Sequence, residues 1–117
     1  MNIIKYSIKD AKKIDLGTKQ IYSYPLSTRL MSVAYMKISG RHPEKENEWL
    51  FEHDCQFVIY VTKGKGKVYV GKKTIVVTVS DVVFIPTETP FAVEGNFEYV
   101  TFDTPGFYPE QSEIVQS

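Results

Sequence analysis

At 117 residues the chain fits one domain, long enough to bury a real core without a metal or disulfide staple. Fourteen basic residues balance fourteen acidic ones, so no long-range field favours a nucleic acid or an anionic membrane, and a small neutral ligand or a protein partner is expected instead. A single cysteine, Cys55, excludes an internal disulfide, and no run reaches the roughly 18 apolar residues of a membrane span.

In chain order, residues 1–16 scatter their apolar side chains among Lys and Asp and form no signal-peptide block, so the cytoplasm is the expected location. Ser7 lies three residues before Asp10, the spacing of a capping box, and allows one helical turn over 7–13. Residues 21–24 read as an edge strand stopped by Pro25. Residues 30–38 read as a longer strand with Met31, Val33, Tyr35 and Lys37 on one face and Ser32, Ala34, Met36 and Ile38 on the other. The polar stretch 40–48 reads as a loop, with His42 in solvent between Arg41 and Pro43, before the apolar Trp49-Leu50-Phe51.

Residues 56–90 then form the organising sheet. Four short runs, 57–62, 67–70, 74–79 and 82–86, alternate in twos and are rich in β-branched residues. Lys63-Gly64-Lys65-Gly66 and Gly71-Lys72-Lys73 are the expected hairpin turns. A final strand is expected over 97–102, followed by a tail that lies on the outside and frays. Many short strands and no long helix specify a β-barrel or a double-sheet jelly roll, and alternation alone does not choose between them.

The stretch Phe51-Glu52-His53-Asp54-Cys55-Gln56-Phe57-Val58-Ile59-Tyr60-Val61-Thr62-Lys63-Gly64 resembles the first motif of the cupin superfamily, a His-x-His-x-x-x-Glu run followed by Tyr-Val-x-x-Gly. Ser80-Asp81-Val82-Val83-Phe84-Ile85-Pro86-Thr87-Glu88-Thr89-Pro90-Phe91 is similar to the second, Gly-x5-Pro-x-Gly-x-x-His. The resemblance implies an all-β fold, a single-domain cupin-type jelly-roll β-barrel of antiparallel strands. Its barrel core would span 30–104, with an N-terminal strand or arm over 1–29 packing on it and a C-terminal tail over 105–117. The family's metal ligands would fall on Phe51, His53, Phe57 and Phe91. Three phenylalanines offer no lone pair and the chain has only two histidines, so no metal and no cofactor are expected.

If residues 51–61 keep one register, Phe51, His53, Cys55, Phe57, Ile59 and Val61 share the inward face, with Phe91 nearby. A one-residue slip that would bring in Glu52 is disfavoured, because it turns the whole face outward. The expected ligand-binding set is therefore Phe51, His53, Cys55, Phe57, Phe91 and Tyr99, an aromatic pocket for a small organic, carbohydrate-derived molecule. A second reading, implied by the resemblance to cupin-type epimerases, is a metal-free sugar or sugar-nucleotide isomerase or epimerase, in which His53 is the general base and Tyr35 or Tyr99 its catalytic partner. A third is an interaction protein whose barrel is filled by Phe51, Phe57 and Phe91. Cys55 reads as an inert buried thiol. Tyr60 and Val58 on the outer face, with Tyr6, Tyr22 and Tyr24, leave apolar surface to cover and point to a homodimer.

Overall fold

The computed structural model describes residues 4–117; the first three residues of the arm expected over 1–29 lie outside them. The strands are β1 (Lys12–Asp15), β2 (Lys19–Ser23), β3 (Ser32–His42), β4 (Glu48–Glu52), β5 (Gln56–Val70), β6 (Lys73–Thr78), β7 (Val82–Ile85), β8 (Phe91–Thr104) and β9 (Ser112–Gln116). All pair antiparallel, in the order β1-β2-β3-β8-β4-β9, while β5 joins β8 on one side and carries β6 and β7 on the other. The long central strand β8 thus holds both walls of a barrel together. Ahead of β1, Ile8–Asp10 forms a single 3-10 turn, and the Ser7 N–H donates to Asp10 Oδ2 at 2.8 Å as the capping-box spacing predicts.

The sheet around residues 56–90 differs from its expected outline. Residues 57–62 and 67–70 are one strand, β5, and Lys63 to Gly66 run through its middle rather than turning. A register shift between Val61 and Lys63 absorbs the irregularity, and Gly64 adopts φ +75° there. Two residues on, Gly66 faces Gly95 of β8, and the Phe97 ring lies over Gly66 so closely that an added Cβ would stand 2.5 Å from two ring carbons. The glycines therefore serve close approach, not chain reversal. Gly66→Ala is expected to cost about 1–3 kcal/mol through overpacking. The check is the urea midpoint, which should fall at constant m; an unchanged midpoint would show that Phe97 yields without penalty.

Three further boundaries move. The last long strand begins at Phe91, not 97, and the tail does not fray, because β9 pairs with β4 from Glu48↔Gln116 to Glu52↔Ser112. Strand β3 continues to His42, so the loop expected from residue 40 is confined to the segment between β3 and β4.

Side-chain alternation along these strands divides the barrel lengthwise. Ile59, Val61, Val68, Val77, Val83, Val93 and Phe97 fill one end as a packed hydrocarbon core. Leu50, Phe57, Phe91 and Tyr99 belong to this core and also line a cavity of about 180 Å³ beyond it. The barrel is packed at one end and hollow at the other, so it is not the filled barrel of the third reading.

Candidate functional site

Four strands supply most of the wall of the hollow end, and Ile14 of β1 and Ser112 of β9 add to it. Lys19, Ile21 and Ser23 of β2, Ser32, Ala34, Met36 and His42 of β3, Leu50 and Glu52 of β4, and Tyr99, Thr101 and Asp103 of β8 line it, with Phe57 of β5 below. Apolar residues make up most of this wall, yet it holds an imidazole, an ammonium and two carboxyls. Lys19 and His42 are each 8% exposed, and Glu52 and Asp103 are equally withdrawn. Charged side chains are rarely buried to this degree without a pairing or a task.

Each polar group is held by its own local device. Arg41, adjacent to His42, points to the other face, with its guanidinium over the rings of Trp49 and Tyr69 at 5.5 and 5.8 Å. It donates to the carbonyls of Pro43 at 2.6 Å and of Glu46 and Glu48 at 3.2 Å, and also to that of Lys45. This fixes the turn after β3, and strand alternation then sends His42 inward. The Thr18 hydroxyl donates to the Arg41 carbonyl at 2.7 Å, tying the start of β2 to the same point. Glu52 accepts from Gln111 Nε2 at 2.6 Å, and Gln111 Oε1 in turn accepts the N–H groups of Asp54 and Cys55 at 3.1 Å. The C-terminal segment thereby holds a carboxyl of the cavity in place.

Burial sets the protonation states. It lowers the His42 imidazole to about 4, with the Lys19 and Arg41 cations adding to the effect, so His42 is neutral at physiological pH. Burial also lowers the Lys19 ammonium to about 8, partly offset by Glu52 and Asp103. Asp103 is raised to about 7, by burial first and then by Glu52, against the Lys19 charge and a hydrogen bond from Thr101. The Tyr99 phenol is pushed up by burial and by Asp103, which keeps it a donor. No hydrogen bond, and no ion pair within 4.0 Å, engages the Lys19 or His42 side chain among the described residues. Both are available to a ligand.

The structure separates the residues expected to form the site. Phe57, Phe91 and Tyr99 line the cavity, with Phe57 and Phe91 edge to face at 5.1 Å. Phe51 and His53 do not. The His53 side chain is 48% exposed, bonded at 2.6 Å to Glu113 Oε2 and packed on the Phe51 ring at 4.8 Å. The reason is a break in register: β4 ends at Glu52 and β5 starts at Gln56, and the turn between them moves the inward positions from the even residues Leu50 and Glu52 to the odd residues Phe57, Ile59 and Val61. Glu52, set aside on the assumption of one continuous strand, is the inward residue. Cys55 is buried outside the lining, its Sγ donating to the Pro105 carbonyl at 3.4 Å, and burial raises its thiol to about 12. Tyr35 is on the outer face against Tyr22, with ring centroids 5.8 Å apart, so it cannot work across the barrel.

His42, Lys19, Glu52, Thr101 and Asp103 are the cavity residues that motif reading did not find. For His42 and Asp103 a signal existed: alternation continued from Ala34, Met36 and Ile38 reaches His42, and that of Phe97 and Tyr99 reaches Thr101 and Asp103. For Lys19, on a short strand of mixed polarity, there was none.

No protein-family model and no curated protein sequence matches this chain. Solved structures do. Pac13 of Streptomyces, a nucleoside dehydratase, superposes with a TM-score of 0.88 at 17% identity, over 98% of this chain and 92% of that one; variants of it were solved with uridine. An RmlC-like cupin from Shewanella frigidimarina gives 0.72 at 15% identity, over 89% and 92%. Ectoine synthase from P. lautus gives 0.75 at 15%, over 98% and 91%. This chain has the cupin fold.

In this chain Phe51 and His53 do not line the cavity, while Phe57 and Phe91 present hydrocarbon edges to it. Among the described residues no three His, Cys, Asp or Glu side chains are grouped to hold an ion. The donor set at those positions does not fit a transition metal.

Proposed function

We propose that this cupin is a metal-independent acid–base catalyst acting on a small oxygenated ligand, of the sugar or nucleoside kind, with His42 as the general base. The observation that carries this reading is the pair of buried residues, neutral His42 and cationic Lys19, that face one cavity with no hydrogen bond and no ion pair within 4.0 Å among the described residues. A neutral imidazole accepts a proton from a carbon next to a carbonyl; a neighbouring lysine activates that carbonyl. Asp103, titrating at about 7, can return a proton, and the hydroxyls of Thr101, Ser23 and Ser32 can bond those of a polyol. A cavity of about 180 Å³ suits a sugar-sized unit rather than a large cofactor. The likeness to a nucleoside dehydratase and an ectoine synthase favours chemistry over passive binding. The test is NMR in deuterium oxide with a panel of small hydroxyaldehydes, ketoses and nucleoside aldehydes. Uptake of deuterium at the carbon beside the carbonyl is expected, and no exchange with any member would overturn the reading.

The protein is further proposed to be a homodimer. Its outer sheet face carries two cross-strand apolar rows, Val82-Tyr60-Val100-Tyr35-Tyr22 and Phe84-Val58-Phe102-Val33. Tyr60, Val82, Phe84 and Phe102 are all exposed. A contiguous patch of this kind is characteristic of an interaction surface. Light scattering at micromolar concentration should give twice the 13.4 kDa chain mass, and Phe84→Lys should return it to one chain. A monomeric mass for the unmodified protein would refute the dimer.

A further inference from the structure

We propose that Lys19 binds its ligand covalently, its amine condensing with an aldehyde or ketone in the barrel cavity to form an imine. The proposal rests on the acid–base reading above and names how the carbonyl is activated. Lys19 is the first residue of β2, opposite Ile38, and its side chain enters a wall that includes Ile14, Ile21 and Met36. A surface lysine is solvated, and a structural buried lysine is salt-bridged. Lys19 is neither, being 8% exposed with no carboxylate of the described residues within 4.0 Å, although Glu52 and Asp103 line the same cavity. Such an amine, desolvated but open to a cavity, is in the state that makes lysine a nucleophile. With its ammonium lowered to about 8, roughly a tenth is free amine at pH 7, against well under a thousandth for a lysine in water.

The chemistry balances within the cavity. The free amine of Lys19 adds to the carbonyl carbon and one of its N–H protons passes to the carbonyl oxygen; the resulting carbinolamine hydroxyl takes a second proton from the Asp103 carboxyl and leaves as water. The C=N nitrogen, holding a proton, is a stronger electron sink than the carbonyl it replaced. His42 then removes a proton from the adjacent carbon to give an enamine, and reversal with water frees the product and the amine. The ligand class is a small aldehyde or ketone bearing a hydroxyl on the neighbouring carbon, a pattern matched by the hydroxyls of Thr101, Ser23 and Ser32.

The test is reductive trapping of the intact protein with glyceraldehyde and cyanoborohydride at pH 7, followed by peptide mass mapping. The expected result is a stoichiometric adduct on Lys19, at least tenfold above that on any other lysine, and lost in Lys19→Arg. His42→Gln should still be trapped, because imine formation precedes proton removal. Label spread over exposed lysines with Lys19 unmodified would overturn the proposal. Deuterium exchange without Lys19 trapping would likewise refute the imine while leaving His42 as base; trapping without exchange would uphold the imine and refute the acid–base reading.

Discussion

His42→Gln is expected to slow proton exchange on a responsive carbonyl ligand by about 10²–10⁴-fold, the usual contribution of a positioned general base. Glutamine has a similar reach and keeps hydrogen bonding but cannot accept the proton, so fold and ligand affinity should change little. The imidazole is held in place from outside the cavity by the Arg41 clamp on the following turn, which the substitution leaves untouched. Because burial and two neighbouring cations lower His42 to about 4, the acid limb of the rate profile should fall near pH 4 rather than 6.5. His53→Gln is the matched control. That side chain is outside the barrel against Glu113, and its loss should alter the rate less than twofold. If His53→Gln abolished exchange and His42→Gln did not, the assignment would be reversed.

Asp103→Asn should stabilise the protein at pH 7.5 by about 1–3 kcal/mol relative to its effect at pH 5. Burial raises the native carboxyl to about 7 from its ordinary 3.8, so between those values the unfolded chain has released a proton that the native state retains. Native protein then binds more protons than unfolded protein, and the contribution of Asp103 to stability falls as pH rises through this window. Asparagine has no proton to lose, keeps the acceptor for Thr101 and removes that slope. The two pH values span only the part of the shift between pH 5 and about 7, so about 1.36 kcal/mol per unit over that interval sets the upper limit, and the loss of a counter-charge for Lys19 reduces it. Titration of His42 is common to both proteins and cancels in the comparison. The measurement is urea unfolding of both at the two pH values; a difference that stays constant or shrinks with rising pH would show that Asp103 is not buried in its acid form.

The two predictions concern residues that the motif resemblance did not single out, and the reason is geometric. The resemblance located the barrel through Tyr60, Val61, Gly64, Asp81 and Pro86, residues that turn or pack the backbone, and these positions serve the fold whatever the cavity contains. It located Phe57 and Phe91 in the cavity because each lies within an unbroken strand. It misplaced Phe51 and His53 because a three-residue turn between β4 and β5 inverts the alternation, and nothing in Glu52-His53-Asp54-Cys55-Gln56 announces that turn. The device that stabilises it is Gln111, more than fifty residues away, bonding the N–H groups of Asp54 and Cys55.

By itself the sequence determined an all-β barrel or jelly roll, because alternation and turn residues are local properties; the motif resemblance added the cupin type, and donor capacity showed that Phe51, Phe57 and Phe91 offer no ligand at three of the four motif positions. The tertiary structure alone decided which of two histidines is in the barrel and that Lys19, Glu52 and Asp103 share its cavity. Those groups come from β2, β3, β4 and β8, and their environment, desolvated and mutually charged, exists only once the sheet has curled.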